Sequence, residues 1–265
     1  MTPSQDLVDL AQQLADASGA VIRRYFRKGI EADDKADASP VTVADREAEA
    51  AMRELLAARA PGHGIVGEEL GRENASAELV WVLDPIDGTK AFITGKPLFG
   101  TLIALLHRGR PVLGVIDQPV LGERWIGALG RATTWNGAPA RVRACAGLSQ
   151  ARLSTTGPQY FPEGEARAFD AVAARAKLVS YGGDCYQYGL VASGSVDVVV
   201  EYGLKLHDFA ALVPVIAGAG GIMTDWDGCP LDAASAGDVV AAGDPRAHAE
   251  VLAALRAGQR ALGAF

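Results

Sequence analysis

The sequence predicts a mixed fold, with an α+β half over residues 1–140 and an α/β half over residues 141–265. Three observations predict it. Two long helical patterns precede a run of turn-separated strands in the first half. From about residue 150 strands and helices alternate. No flexible linker, internal repeat or low-complexity tract separates the halves. With 265 residues, 49% of them hydrophobic, the chain can bury a large core.

The elements follow in order. Thr2-Pro3-Ser4-Gln5 reads as a helix start with Thr2 as N-cap and Pro3 at N1. Leu7, Leu10, Leu14, Val21, Ile22, Tyr25 and Phe26 recur at helical spacing, so the helix runs to about Arg27, with Gly29 beyond its end. A second helix, rich in helix formers, spans about Val43 to Ala60 and stops at Pro61-Gly62. HGIVGEE and ELVWVLD each hold a strand. LFGTLIALLH, RPVLGVIDQP and ERWIGALG read as an antiparallel meander, and Asn136-Gly137 as a tight turn. Beyond residue 150 the strands are RLSTT, KLVSY, VDVVVEY, IMTD and DVVAAG. The helices fall near 163–175, 184–194, 208–219 and 245–257.

Composition removes several classes. The net charge is −7 and no Lys/Arg run supplies a basic face, which argues against a nucleic-acid module. The three cysteines are far apart and form no CxxC pair, so neither a zinc knuckle nor a disulfide framework is expected. No apolar run reaches membrane-spanning length, and the first residues lack a basic and an apolar region of the secretory kind. The expected setting is the cytoplasm. No G-x-S-x-G elbow occurs, TGKP lacks the P-loop pattern, and GAGG lacks the third glycine of a dinucleotide site.

The chemistry lies in the acids. In WVLDPIDGTKAF an apolar strand ends on Asp84 and Asp87, which flank Pro85-Ile86. Proline restricts the turn and can bring two carboxylates toward one point, and Gly88-Thr89-Lys90 then opens a short helix whose first N–H groups suit an anion. Carboxylates beside an anion site repel the anion unless divalent metal lies between them. Oxygen ligands alone point to Mg²⁺ rather than zinc. Turn and N-cap roles account for the same two aspartates. Three further acids sit at ends of elements: Glu68 after GIVG, Asp45 in the first turn of the second helix, and Asp208 at the start of an apolar helix.

VTVADREAE, GIVGEE, WVLDPIDGTKAF and LHDFAALVPVIAGAGGIMTDW together resemble the inositol monophosphatase family of Mg²⁺-dependent phosphatases, in the expected order over residues 41–226. The resemblance implies a layered αβαβα sandwich, a homodimer, and two or three Mg²⁺ ions in the active site. It implies that Glu68, Asp84 and the Ile86 carbonyl hold one ion and that Asp84, Asp87 and Asp208 hold a second. Asp45, Glu68 and Thr89 would position and activate the attacking water. The N–H groups of Gly88 and Thr89 would cradle the phosphate of a small phosphomonoester. The segment 30–40 would close over the metals, with Lys35 near the phosphate. His207 is expected as a packing or hydrogen-bonding neighbour.

Two more acids bear on the substrate. Asp184 follows a glycine pair, and Glu201 ends the strand VDVVVE. Asp184 also fits a helix N-cap, and Glu201 a solvated strand end. In the family these positions face the part of the substrate that is not phosphate, and DPIDGTKAFITGKPLFGTLIALL with YGGDCYQYGLVASG resembles the histidinol-phosphate phosphatases. Two carboxylates at the leaving-group end favour an ammonium group. The expected substrate is therefore L-histidinol phosphate, of histidine biosynthesis. An inositol phosphate or a broader range of polyol phosphates is the alternative, and a catalytically silent metal-binding protein is the alternative of another class.

Overall fold

The structure, a computed structural model, describes residues 1–29, 32–34 and 40–262. Lys35 lies outside the described residues. The elements in chain order are α1 (Gln5–Tyr25), β1 (Ala32–Asp34), β2 (Pro40–Thr42), α2 (Val43–Arg59), β3 (Gly64–Gly67), β4 (Arg72–Glu73), β5 (Leu79–Asp87), α3 (Thr89–Ile93), β6 (Gly100–His107), β7 (Arg110–Gln118), β8 (Glu123–Ala128), β9 (Thr134–Trp135) and β10 (Ala138–Pro139). They continue with β11 (Arg152–Thr155), α4 (Glu163–Ala173), β12 (Leu178–Tyr181), α5 (Tyr186–Ala192), β13 (Val198–Glu201), α6 (Leu206–Phe209), α7 (Leu212–Gly218), β14 (Ile222–Thr224), β15 (Val239–Ala242) and α8 (Pro245–Leu262).

An eight-stranded sheet has the order β10-β9-β8-β7-β6-β5-β3-β4, and a five-stranded sheet the order β12-β11-β13-β15-β14. β6, β7 and β8 form the expected antiparallel meander. β3 instead pairs parallel with β5, because the chain between them runs back along β3 as the antiparallel strand β4 before β5 begins. Alternation along β5 sends Trp81 and Leu83 to a core with α1 and α2, and Val80 and Val82 to a core with α5, α7, β13 and β15. The other face of the five-stranded sheet packs on α4 and α8. The layers are thus α1/α2, sheet, α5/α7, sheet, α4/α8, an αβαβα sandwich.

Two helix boundaries differ from those read in the sequence. The N-cap of α1 is Ser4, whose hydroxyl accepts from Leu7 N at 3.4 Å, rather than Thr2. Ser4 is itself a capping residue and leaves Pro3 outside the helix. The helix expected over 208–219 starts at Leu206 and divides into α6 and α7. Pro214 has no N–H to give Ala210, and it sits in the first turn of α7, where that N–H has no intrahelical acceptor.

The division matters because α7 lies directly against β7 and β8. A Cβ on Gly114 would fall 1.9 Å from Ala211 O, and one on Gly127 2.3 Å from Pro214 O. The absence of side chains at these two positions seats α7, and with it α6 and Asp208. Gly114→Ala should therefore destabilise the protein by about 1–3 kcal/mol in urea unfolding. A loss below about 0.5 kcal/mol, the scale of a surface change, would show that α7 does not depend on this approach.

Candidate active site

Asp84 and Asp87 are three residues apart, so a regular strand would send them to opposite faces. β5 is not regular there. Asp84 stands opposite Leu102 and Asp87 opposite Gly100, so three steps on β5 match two on β6. The extra residue is a bulge at Pro85-Ile86 that restores the parity and returns both carboxylates to one side. Thr101 Oγ1 donates to Pro85 O at 2.8 Å and lies 3.0 Å from Ser18 Oγ, which ties the bulge to β6 and α1. Thr89 Oγ1 donates to Ile86 O at 3.1 Å across the start of α3. Gly88, at φ +92°, is the left-handed residue that lets the chain turn from β5 into α3.

Asp208 arrives from the layer below. It is the third residue of α6, and its Oδ2 accepts from Lys205 N at 2.7 Å. Carboxylate oxygens of Asp84, Asp87 and Asp208 all lie within 4.8 Å of one another. Glu68, just past the end of β3, brings an oxygen within the same distance of Asp84 and of His207. His207 Nε2 is 3.3 Å from Asp208 Oδ1 and 4.0 Å from Glu68 Oε1, so the imidazole stands between these two acids as a polar neighbour.

Asp45 is fully buried in the first turn of α2. Its Oδ2 accepts from Thr42 N at 2.8 Å and Thr42 Oγ1 at 2.6 Å, the reciprocal capping arrangement of T-x-x-D, while its Oδ1 has no partner among the described residues. α3 packs beside β2, the strand that leads directly into α2.

Asp184 and Glu201 come from the second half of the chain. Asp184 is not an N-cap; it precedes Cys185, the cap of α5, and holds a left-handed φ of +40°. Its side chain lies over Gly88, where an added Cβ would be 3.0 Å from Asp184 Oδ2. Cys185 N donates to Asp87 Oδ2, so the turn bearing Asp184 is fastened to the acidic cluster. Glu201 is a buried strand end rather than a solvated one. Its Oε1 accepts from Thr156 N and Gln187 Nε2, both at 2.6 Å.

Glu68, Asp84, Ile86, Asp87, Gly88, Thr89, Asp184, Glu201 and Asp208 line one cavity of about 640 Å³, and Asp45 and His207 lie outside that lining. Its lining also includes Lys90, Lys96, Tyr160, Tyr181 and Tyr188, which sequence reading passed over. Lys90 Nζ sits 4.2 Å from the centre of the Tyr160 ring. Nothing in their local pattern marks these residues; the fold alone brings them together.

Lost hydration dominates the electrostatics. It raises Asp84 well above the carboxylate range, helped by the charges of Glu68, Asp87 and Asp208. It raises Asp87 likewise, helped by Asp184 and Asp208, and it raises Asp208. Burial pushes Asp45 up to about 6 against the Thr42 hydrogen bonds, and Asp184 up to about 6 against the Lys90 charge. Burial pushes Glu201 up to about 7 against its two donors. Asp84 Oδ1 is buried without a partner among the described residues. Crowded acids with an orphaned oxygen are what a hard divalent cation satisfies, so Glu68, Asp84, Asp87 and Asp208 fit a metal of the Mg²⁺ kind.

Comparison with known proteins agrees. The model of the inositol monophosphatase family matches residues 4–260. A bifunctional phosphatase, IMPL2, of Arabidopsis thaliana is 55% identical over 251 residues, 91% of this chain and 72% of that one. A histidinol-phosphatase of Mycobacterium tuberculosis is 37% identical over 262 residues, 96% of this chain and 100% of that one. Among solved structures, an inositol monophosphatase from Zymomonas mobilis superposes with a TM-score of 0.89 at 48% identity, covering 97% of this chain and 100% of that one.

A prediction follows from the crowding. Raised carboxylate pKa values mean that the folded chain holds protons the unfolded chain releases, so their contribution to stability falls as pH rises from about 4 through about 7. With chelator present, Asp84→Asn should melt above wild type, by a margin that widens from pH 5 to pH 8. Mg²⁺ at about a hundred times its Kd should stabilise wild type by about 2.7 kcal/mol per site, and Asp84→Asn much less. Calorimetric melts with and without Mg²⁺ decide it; equal responses of the two proteins would contradict the metal assignment.

Proposed function

This chain belongs to the inositol monophosphatase family and is a phosphoric monoester hydrolase, and we propose that it hydrolyses L-histidinol phosphate to L-histidinol and phosphate. The observation that carries the substrate choice is the pair Asp184 and Glu201. Both are acids in the cavity, and Asp184 adds its charge to the field at Glu201. Together with Glu68, Asp84, Asp87 and Asp208 they set six acids in that lining against Lys90 and Lys96. Metal ions offset the acids around Asp84. A cationic leaving group offsets Asp184 and Glu201, and a charge-assisted bond to an ammonium is stronger than one to a neutral hydroxyl. The histidinol-phosphatases among the relatives support the same choice.

In this proposal Glu68, Asp84 and the Ile86 carbonyl would hold one Mg²⁺, and Asp84, Asp87 and Asp208 a second, and the scheme allows a third. When bound, Mg²⁺ neutralises the phosphoryl oxygens and makes water a better nucleophile. Thr89 Oγ1 gives its own proton to Ile86 O, which leaves its lone pairs to accept from the attacking water. Asp45 Oδ1, buried and without a partner among the described residues, would take up the proton that the attacking water loses. The N–H groups of Gly88 and Thr89 receive the phosphate as the first donors of α3. Cys185 N holds Asp87 and thereby keeps the leaving-group pocket in register with the phosphate site.

The reading includes a homodimer in the cytoplasm and a place in histidine biosynthesis; the unpaired cysteines Cys145, Cys185 and Cys229 suit a reducing compartment. Hydrolysis of inositol phosphates is the second reading, and the Zymomonas mobilis structure favours it.

Asp184→Asn keeps the size of the side chain over Gly88, and asparagine tolerates the left-handed φ. It should lower kcat/KM for L-histidinol phosphate roughly tenfold, the effect of one charge-assisted contact. The value for myo-inositol 1-phosphate should change much less. Steady-state phosphate release on both substrates measures this. Equal losses on the two, or a wild type that prefers inositol phosphate, would overturn the substrate assignment and leave the hydrolase intact.

A further inference from the structure

α2 carries a second buried acid besides Asp45. Glu49 is fully buried, one helical turn after Asp45 and on the same face. Its Oε2 accepts from Glu69 N at 2.7 Å. Its Oε1 accepts from Leu70 N at 3.2 Å and from Arg53 Nε at 2.8 Å. Arg53 in turn donates through Nη2 to Gly71 O. Every one of these backbone partners lies in the three residues that follow Glu68.

The approach is close enough to exclude a side chain. A Cβ on Gly67 would fall 1.8 Å from Glu49 Oε1 and 2.7 Å from Arg53 Nη2. On the other side, Glu68 N donates to Leu83 O at 3.1 Å, next to Asp84, and Gly67 N donates to Gly71 O at 2.9 Å. The backbone at Glu68 is thus held from both directions, by the strand that carries Asp84 and by the helix that carries Asp45. A buried carboxylate is costly unless donors surround it, and here the donors belong to the turn behind the cavity.

We infer that Glu49 is a positioning residue: with Arg53 it clamps the turn after β3 so that the Glu68 carboxylate meets Asp84, and it thereby sets the affinity for Mg²⁺. The inference rests on the metal reading given above. Glu49 touches neither substrate nor metal. Its effect passes through the backbone of residues 69–71 to the side chain of Glu68.

Glu49→Gln conserves volume but turns an N–H toward a donor that the carboxylate had satisfied. Groups that orient metal ligands typically alter affinity or activity by about 10–100-fold. Titration calorimetry of Mg²⁺ should therefore give a Kd weakened about tenfold or more, with kcat at saturating Mg²⁺ within about threefold of wild type. Glu49→Asp, one methylene short of the same donors, should not restore the affinity. Leu14→Ala, in the core between α1 and the sheet, lowers stability without touching this turn and should bind Mg²⁺ as wild type does. A Kd for Glu49→Gln within twofold of wild type would overturn the inference, and so would an equal weakening in Leu14→Ala. If Glu49→Gln does not fold, Arg53→Met decides: a Kd weakened about threefold supports the clamp and an unchanged Kd overturns it. A wild type that binds no Mg²⁺ would overturn both this inference and the metal reading beneath it.

Discussion

Carboxylates repel one another, and the repulsion grows when water is withdrawn from them. The cleft between the two sheets does both to Glu68, Asp84, Asp87 and Asp208, whose oxygens it gathers in two overlapping groups around Asp84. Left alone, such a cluster works against folding. The chain supports it by rigid means from several sides: the bulge in β5, the fastening of Asp87 to Cys185 N, the capping bond from Lys205 N to Asp208, and the burial of Asp84 beneath them. Much of the surrounding architecture serves to keep these acids where they would not stay by themselves. A site strained in this way is preorganised for cations and loses little by closing around them.

The sandwich explains why the acids arrive from such distant parts of the sequence. β5 contributes two, the turn after β3 one, α6 another, and the turn before α5 adds Asp184. The parallel pairing of β3 with β5 sets Gly67 opposite Leu83, so that Glu68 N reaches Leu83 O. α7 closes on Gly114 and Gly127 and carries α6 to the cluster. In the proposed reading the phosphate-facing groups therefore come mainly from the eight-stranded sheet, while the leaving-group end is built by α5, β13 and their turns. That division lets the chemistry stay fixed while the recognised alcohol changes, which is consistent with relatives of one family bearing different phosphatase names.

Much of this was legible in the sequence. Apolar periodicity located α1 and α2, turn residues separated the meander, and four acidic motifs in order pointed to one kind of site. What stayed hidden depended on tertiary contacts. Glu49 sits in ADREAEAAMRE, where an acid four residues after another looks like part of a solvated helix face; only the fold reveals that the turn after β3 covers it. The break between α6 and α7 was signalled by Pro214, but an apolar run around it reads as continuous. Tyr160 and Lys90 lie far apart in sequence and meet only when the second half folds over α3. Asp184 matched an N-cap pattern, and its left-handed backbone could not be read from GGDCY alone.

The central claim is that Asp84 is shared between two cations, with Glu68 on one side and Asp87 and Asp208 on the other. Crystals grown with Mn²⁺ in place of Mg²⁺ and measured at the manganese edge test it most directly. The account predicts at least two anomalous peaks in the cleft, both within coordination distance of Asp84. An enzyme that hydrolyses its substrate in Mn²⁺ while its crystals show no peak beside Asp84 would contradict it.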